Sequence, residues 1–180
     1  MNDPPQSRLP SQLQASHPTF YWGISLAALV LFLDQLSKWW IVSIVMQPVR
    51  VIPVTPFFNL VMGWNKGISF GLFHGDSIFN IWGLPAIALI ITAFLLVWLW
   101  RSKGCVISIA IGSIIGGALG NVTDRIRFGA VADFLDIYVL GYHWPAFNIA
   151  DAGITLGAAL LIYDSLFGEG EIHNNRGSSK

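Results

Sequence analysis

Four long apolar segments constrain the fold of this chain more than any other feature. A hydrocarbon core of about 30 Å needs about 20 apolar residues in a helix, because lipid offers no partner for bare backbone amides. Segments that meet this need occur at 20–46, 79–100, 105–122 and 148–167. Only 11% of the 180 residues are charged, well below the share typical of a soluble domain. The sequence therefore predicts an all-α membrane protein with four transmembrane helices.

Composition also argues against several classes of site. The formal net charge is zero, which gives no electrostatic reason to expect a nucleic-acid partner. The single Cys105 excludes an internal disulfide and every multi-cysteine metal pattern, and the four histidines are too scattered to pair as ligands on a helix. We therefore expect no metal, no cofactor and no nucleic acid.

Polar ends and one basic turn set the expected topology. The turn "RSKG" between the second and third spans is placed in the cytoplasm by the positive-inside rule, so both termini face the cytoplasm. The connections 47–78 and 125–147 then lie on the outer side. We expect a monomer with three parts: a polar N-terminal segment at 1–19, a four-helix domain at 20–167 and a polar tail at 168–180.

One outer connection is typical of strands. The stretch "VRVIPVTPFFNLVMGWNKGISFGLF", 49–73, mixes β-branched and aromatic residues with prolines and glycines, which predicts a small β-like segment resting on the outer leaflet. It also contains "GISFG", which matches the G-x-S-x-G pattern of serine hydrolases. A Ser69 nucleophile is the weaker interpretation, because no parallel strands accompany the motif.

Several polar residues interrupt the apolar spans. Asp34 and Lys38 are four residues apart, the favoured spacing for an ion pair within a helix. Asp34 falls about midway along its span, too deep to join a site near the outer surface unless the helix is tilted. Asn121, Asp124 and Arg125 share one helical face if the third helix continues past its apolar part. They either bind a polar backbone or close an ion-paired network, in which Asp124 and Arg125 form a structural pair.

Glycines at four-residue spacing predict close helix packing. The third span contains Gly112, Gly116 and Gly120, and the fourth contains Gly153 and Gly157. Gly117 either serves the same contact or leaves room for a ligand.

The stretch "VADFLDIYVLGYHWPAFNIAD" has a carboxylate near each end. Asp133 precedes a turn-rich connection, and Asp151 lies one turn into the fourth span, with Asn148 in its N-cap region. A reentrant loop there would bring the two acids together. Such a pair divides into a base that takes a proton from water and an acid that polarises a carbonyl. A proton relay, an ion path and a helix-capping pair are the alternatives.

Five short blocks, in this order on four hydrophobic spans, carry a family resemblance: "DQLSK" at 34–38, "NKGISF" at 65–70, "GGALGNVTDR" at 116–125, "VADF" at 131–134 and "FNIADAGITLG" at 147–157. With these blocks the chain resembles the lipoprotein signal peptidases, the type II signal peptidases of bacteria. The resemblance implies an aspartic endopeptidase of the inner membrane that removes the signal peptide from diacylglyceryl-modified prolipoproteins, cutting just before the lipidated cysteine.

The same resemblance implies roles for individual residues. Asp133 and Asp151 correspond to the catalytic dyad, near the outer leaflet. Substrate main chain is expected to contact four residues in the cleft that the antibiotic globomycin would occupy: Asn65, Asn121, Arg125 and Asn148. Supporting roles fall to Asp34, Lys38, Asp124 and Gly117. As a hypothesis on motion, the segments 57–74 and 136–146 close over the site from the outer side, after the lipidated substrate enters laterally.

Two functions of other classes remain as alternatives at this point. A proton-coupled transporter also places paired acids in a membrane, but four spans without inverted repeats do not suit it. A membrane scaffold explains the glycines but not the concentration of Asp, Asn and Arg at one end of the third and fourth spans.

Overall fold

The computed structural model describes residues 18–67 and 82–167. Four of its helices are long and apolar enough to cross a membrane. They are α1 (Pro18–Trp40), which continues as a five-residue π-helical turn (Ile41–Val45), α2 (Leu84–Arg101), α3 (Cys105–Phe128) and α4 (Ile149–Phe167). The four predicted spans are confirmed. Residues 1–17, 68–81 and 168–180 lie outside the described part of the chain, and with them lie both predicted polar ends and Ser69.

Helix α3 is the central helix of the bundle, and its glycines explain why. More of α3 is buried than of any other span. A methyl group on Gly112 would overlap the backbone of Gly23 in α1, and one on Gly117 would overlap the carbonyl of Ala150 in α4. The predicted packing role of the stripe is confirmed. Gly117 belongs to this helix contact and does not leave space for a ligand.

Helix α3 is longer than the apolar segment that predicted it. It runs to Phe128, six residues beyond Val122, and ends where Gly129 adopts a left-handed conformation with φ of 71°. The polar extension stays helical because its side chains find partners on neighbouring elements. Asn121, Asp124 and Arg125 therefore lie on a continuous helix, as the spacing required.

A four-stranded antiparallel sheet lies at the α3 C-terminal and α4 N-terminal end of the bundle. Its strands are β1 (Ile52–Thr55), β2 (Phe58–Asn65), β3 (Val131–Val139) and β4 (Tyr142–His143), in the order β1-β2-β3-β4. The predicted β-like segment is thus confirmed as β1 and β2. The reentrant loop expected at 131–147 is wrong, because most of it is β3 and β4. A two-residue turn, Leu140 and Gly141, joins them with both φ angles positive.

The ladder between β2 and β3 contains a bulge. Leu60 pairs with Leu135, but Gly63 pairs with Asp133, so Val61 and Met62 together oppose Phe134. Backbone hydrogen bonds to β1 and β3 hold β2 on both edges. The described part of the segment predicted to close over the site is therefore mostly an internal strand and not a free loop, while 68–74 lies outside the described residues.

Candidate active site

Helix α4 begins with a reciprocal cap that orients one of the two acids. The backbone N–H of Asp151 donates to Asn148 Oδ1 at 2.9 Å, and the backbone N–H of Asn148 donates to Asp151 Oδ2 at 3.3 Å. Each side chain thus satisfies a backbone group that the first helical turn leaves open. The cap that the sequence predicted at 148–151 is confirmed, and it fixes the direction of the Asp151 carboxylate.

The same asparagine reaches the second acid. Asn148 Nδ2 donates to Asp133 Oδ1 at 2.6 Å, and Asn65 Nδ2 donates to Asp133 Oδ2 at 3.1 Å. Asp133 lies in β3, paired with Gly63 of β2. Asp133 and Asp151 are therefore brought together at one asparagine, although neither the cap nor the strand pairing alone would do so.

Burial and repulsion change the acidity of Asp133. Burial is the larger cause and the negative charge of Asp151 the second, and together they raise the pKa of Asp133 from 3.8 to about 6. The amide donors of Asn65 and Asn148 oppose this change. A carboxyl group in this condition exchanges a proton near neutral pH, as general acid–base catalysis requires.

A cavity of about 230 Å³ opens at Asp151, and Asp133 does not line it. Its polar wall is formed by Asn65, Asn121, Arg125 and Asp151. The opposite wall is apolar and comes mainly from one face of α2, at Leu84, Ile87, Ala88 and Ile91, with Val131 of β3. The cavity therefore suits a ligand that is polar on one side and apolar on the other.

Arg125 has a donor left over at this cavity. Its guanidinium donates to the backbone oxygens of Gly67 at 2.9 Å and of Asn121 at 3.4 Å. Its Nε is buried and has no hydrogen-bond partner within the described chain. The predicted structural pair with Asp124 is wrong, because Asp124 bonds to Lys38 instead.

Beneath the dyad lies a buried ionic cluster of Asp34, Lys38 and Asp124. Lys38 Nζ is 2.9 Å from Asp34 Oδ2 and 2.8 Å from Asp124 Oδ2. The predicted pair within α1 is confirmed. The expectation that Asp34 lies too deep to meet the site is wrong, because Asp34 Oδ1 accepts the backbone N–H of Ala150, the residue before Asp151.

The cluster has a neutral fourth member that the sequence did not single out. Gln35 Nε2 donates to Asp34 Oδ2 at 3.1 Å and to Asp124 Oδ1 at 3.0 Å. Its position beside Asp34 in "DQLSK" was the only available signal. Because Gln35 offers two N–H groups to two carboxylates, it lowers the cost of burying two negative charges beside one positive charge.

The opposite face of the sheet carries a second aspartate that is separate from the cavity. Asp136 accepts from Asn59 Nδ2 at 2.9 Å and lies 2.9 Å from His143 Nδ1, whose ring stacks on Tyr138. Burial raises the pKa of Asp136, but the bonds from Asn59 and His143 outweigh it, so the pKa lies below its ordinary value. The sequence did not predict this cluster, because a loop at 136–146 places no partner beside Asp136.

One predicted binding residue has a different position from the others. Asn65, Asn121 and Arg125 line the cavity, whereas Asn148 is fully buried. Its side chain is occupied by Asp133, Asn121 and the backbone of Asp151. The structure therefore makes Asn148 the spacer between the two acids and gives it no contact with the cavity.

Comparison with known proteins places this geometry in a family. The family model described as "Signal peptidase (SPase) II" matches residues 26–167. The lipoprotein signal peptidase of Methylocella silvestris is 43% identical over 146 residues, covering 81% of this chain and 85% of the relative. That of Cupriavidus taiwanensis is 45% identical over 145 residues, covering 79% and 81%.

Solved structures agree with the sequence matches. A bacterial membrane enzyme determined in meso at 2.3 Å resolution superposes with a TM-score of 0.74 and 30% identity, over 88% of this chain and 93% of the other. A second, at 1.9 Å, gives a TM-score of 0.68 and 32% identity, over 82% and 93%. With the four apolar helices, these matches show a multi-pass membrane protein. The chain belongs to the signal peptidase II family and is a peptidase by that membership.

Proposed function

We propose that this protein is an intramembrane aspartic endopeptidase that removes the signal peptide from diacylglyceryl-modified bacterial prolipoproteins, cutting just before the lipidated cysteine. One observation carries the catalytic part of the proposal. Asp133 and Asp151 are held at a single asparagine, beside a cavity whose other polar groups are amides and a guanidinium. Family membership supports the substrate class.

The geometry supports a mechanism in which the dyad activates water. An ionised carboxylate takes a proton from water, and the hydroxyl oxygen bonds to the scissile carbonyl carbon while the protonated partner donates to the carbonyl oxygen. When the tetrahedral intermediate collapses, the C–N bond breaks and the amide nitrogen takes a proton from the dyad. The raised pKa of Asp133 suits it to hold the shared proton.

The remaining polar wall suits the main chain of an extended peptide. Asn65, Asn121 and Arg125 line the cavity with amide and guanidinium groups, which suit a hydrogen bond to a substrate carbonyl. Burial within the wall makes such a bond worth more than one in open water. Substrate binding is thus assigned to these three residues, and positioning to Asn148.

The apolar face of α2 suits the lipid part of the substrate. Ile87 and Ile91 line the cavity and are also exposed on the surface of α2, so acyl chains have a continuous apolar path between the lipid and the site. Together with the basic turn at 101–104, this supports an orientation with both termini in the cytoplasm and the site near the outer leaflet. Residues 20–167 then form the peptidase domain of a monomer, and globomycin occupies the same cavity.

The test uses asparagine variants of each acid. Asp133→Asn and Asp151→Asn are expected to insert into the membrane and fold, but to release no signal peptide from a purified diacylglyceryl-modified prolipoprotein. Cleavage is measured by the gel shift of the prolipoprotein. Two controls are matched by element: Asp136→Asn in β3 and Asp164→Asn in α4 should keep cleavage. Retained cleavage by either dyad variant, or its loss in both controls, would overturn the assignment.

A second arm tests the substrate class. The same prolipoprotein without its diacylglyceryl group should be cleaved far more slowly, because it cannot use the apolar wall. Equal rates for the two substrates would mean that the lipid is not recognised, and would refute this part of the proposal while leaving the dyad in place.

A further inference from the structure

Lys38 is a buried cation directly below the dyad. Its side chain is 4% exposed, and both nearby carboxylates, Asp34 and Asp124, lie within 3 Å of its Nζ. A structural ion pair would need one acid. Two acids around one ammonium are more than one ion pair requires, which calls for a further reason.

That reason lies on the third side of the ammonium. Lys38 Nζ also donates to Asn121 Oδ1 at 3.2 Å, and Asn121 Nδ2 donates to Asp151 Oδ1 at 2.8 Å. A cation bonded to the oxygen of an amide draws electron density toward it, so the amide N–H becomes a stronger donor. The positive charge is therefore transmitted by one side chain to a carboxylate on the cavity wall.

The two cluster acids also hold the backbone beside the dyad. Asp34 accepts the N–H of Ala150, immediately before Asp151, and Asp124 accepts the N–H of Ala132, immediately before Asp133. Both bonds are buried. The ammonium thus bonds to the two carboxylates that hold the backbone beside both catalytic residues. It is linked to Asp151 both through Asp34 and Ala150 and through Asn121.

We infer that Lys38 is a positioning residue of the reaction: its ammonium, acting through the amide of Asn121, holds the Asp151 carboxylate in place as the general base. This inference rests on the proposed function. Asp133, which is more deeply buried and does not line the cavity, is then the acid. The described charged groups around the contacts from Lys38 through Asn121 to Asp151 come from four elements: Asp34 and Lys38 in α1, Asp124 and Arg125 in α3, Asp133 in β3 and Asp151 in α4. The α2 residues on the cavity wall are apolar.

The experiment is the pH profile of kcat/KM for Lys38→Met, measured on the full chain in detergent with diacylglyceryl-modified prolipoprotein. Without the cation the pair is harder to ionise, so the acidic limb should move upward by about one pH unit. Cleavage on the acidic limb then falls about tenfold more than cleavage at the pH optimum. A purely structural role would lower the rate by one factor at every pH.

The control and the second variant keep the outcome interpretable. Lys103→Met removes an exposed ammonium at the far end of α3 and should leave the profile unmoved. If Lys38→Met fails to fold, the double variant Lys38→Met with Asp124→Asn keeps the net charge of the cluster, and Asn retains an acceptor for Ala132. Its acidic limb should also move upward, because the cation that bonds to Asn121 Oδ1 is absent in both variants.

The outcomes separate this inference from the proposed function. An acidic limb that stays in place in the folded Lys38 variant refutes the role of Lys38, while the dyad assignment stands if Asp133→Asn and Asp151→Asn are inactive. If the wild-type protein cleaves no lipidated substrate at any pH, the proposed function fails and this inference fails with it.

Discussion

Replacing Asp133 by asparagine should stabilise the folded protein at neutral and alkaline pH. The pKa of Asp133 rises from 3.8 to about 6 on folding, a shift that corresponds to about 3 kcal/mol of lost stability when the group is ionised in both states. Asparagine is neutral and escapes this cost. It keeps an acceptor for Asn148, but Asn65 loses its acceptor and turns toward the cavity, at about 1 kcal/mol. The net gain is about 2 kcal/mol.

The pH dependence has a definite sign. Because the folded protein binds the proton of Asp133 more tightly than the unfolded chain, wild-type stability falls as pH rises from about 4 to about 6 and is level above that. The advantage of Asp133→Asn is therefore full above about pH 6 and vanishes toward about pH 4. Thermal unfolding in detergent, followed by tryptophan fluorescence across this range, measures the difference in Tm between the two proteins.

A matched variant of opposite sign serves as the control. The pKa of Asp136 is lowered by its bonds to Asn59 and His143, so its ionised form stabilises the fold at neutral pH and that contribution is lost as pH falls through the lowered value. Asp136→Asn should thus lose stability near neutral pH. The reasoning is refuted if Asp133→Asn melts below wild type at alkaline pH, or if its advantage does not fade on acidification.

Three further variants test the binding and packing of the site. Arg125→Ala should raise KM about tenfold or more with a smaller change in kcat, because it removes donors from the cavity wall; exposed Arg127→Ala is the control, and an unchanged KM with a collapsed kcat would contradict the assignment. Gly117→Ala should destabilise the fold by about 1–3 kcal/mol in thermal unfolding, since its methyl group meets Ala150 and Ile154; Gly104→Ala, near only the flexible Ile107, should be almost neutral, and equal losses would refute the packing argument. Ser69→Ala should retain cleavage of lipidated substrate, whereas its loss would revive the serine hydrolase interpretation.

The predictable part of the fold was the part set by local pattern. Apolar length gave the four spans, and the polar pair Asn148 and Asp151 gave the start of α4, because capping depends on neighbours in sequence. Strand β3 was not predicted, because its residues are equally compatible with a turn-rich connection next to Gly141. Its strand conformation depends on pairing with β2, which is distant along the chain.

The candidate site was predicted by residue type and family likeness more than by geometry. Asp34 and Lys38 pair locally and were predictable, but the second partner of Lys38 is Asp124, which only the packing of α1 on α3 supplies. The family resemblance implies substrate contact for Asn148, and an amide in a polar cleft suits either binding or positioning. Only the arrangement of its neighbours shows that both ends of the amide are used within the protein.

The bulge in β2 decides which asparagine serves which aspartate. Asn59 and Asn65 are an even number of positions apart, so in a regular strand their side chains would share one face. Because Val61 and Met62 together oppose Phe134, the parity changes between them: Asn59 reaches Asp136 on one face and Asn65 reaches Asp133 on the other. Deleting one residue from this pair would leave the two asparagines five positions apart, as Asp136 and Val131 are in β3, so a regular strand would keep both contacts. A strand of unchanged length that lost the bulge would instead turn Asn65 away from the dyad without altering any polar side chain.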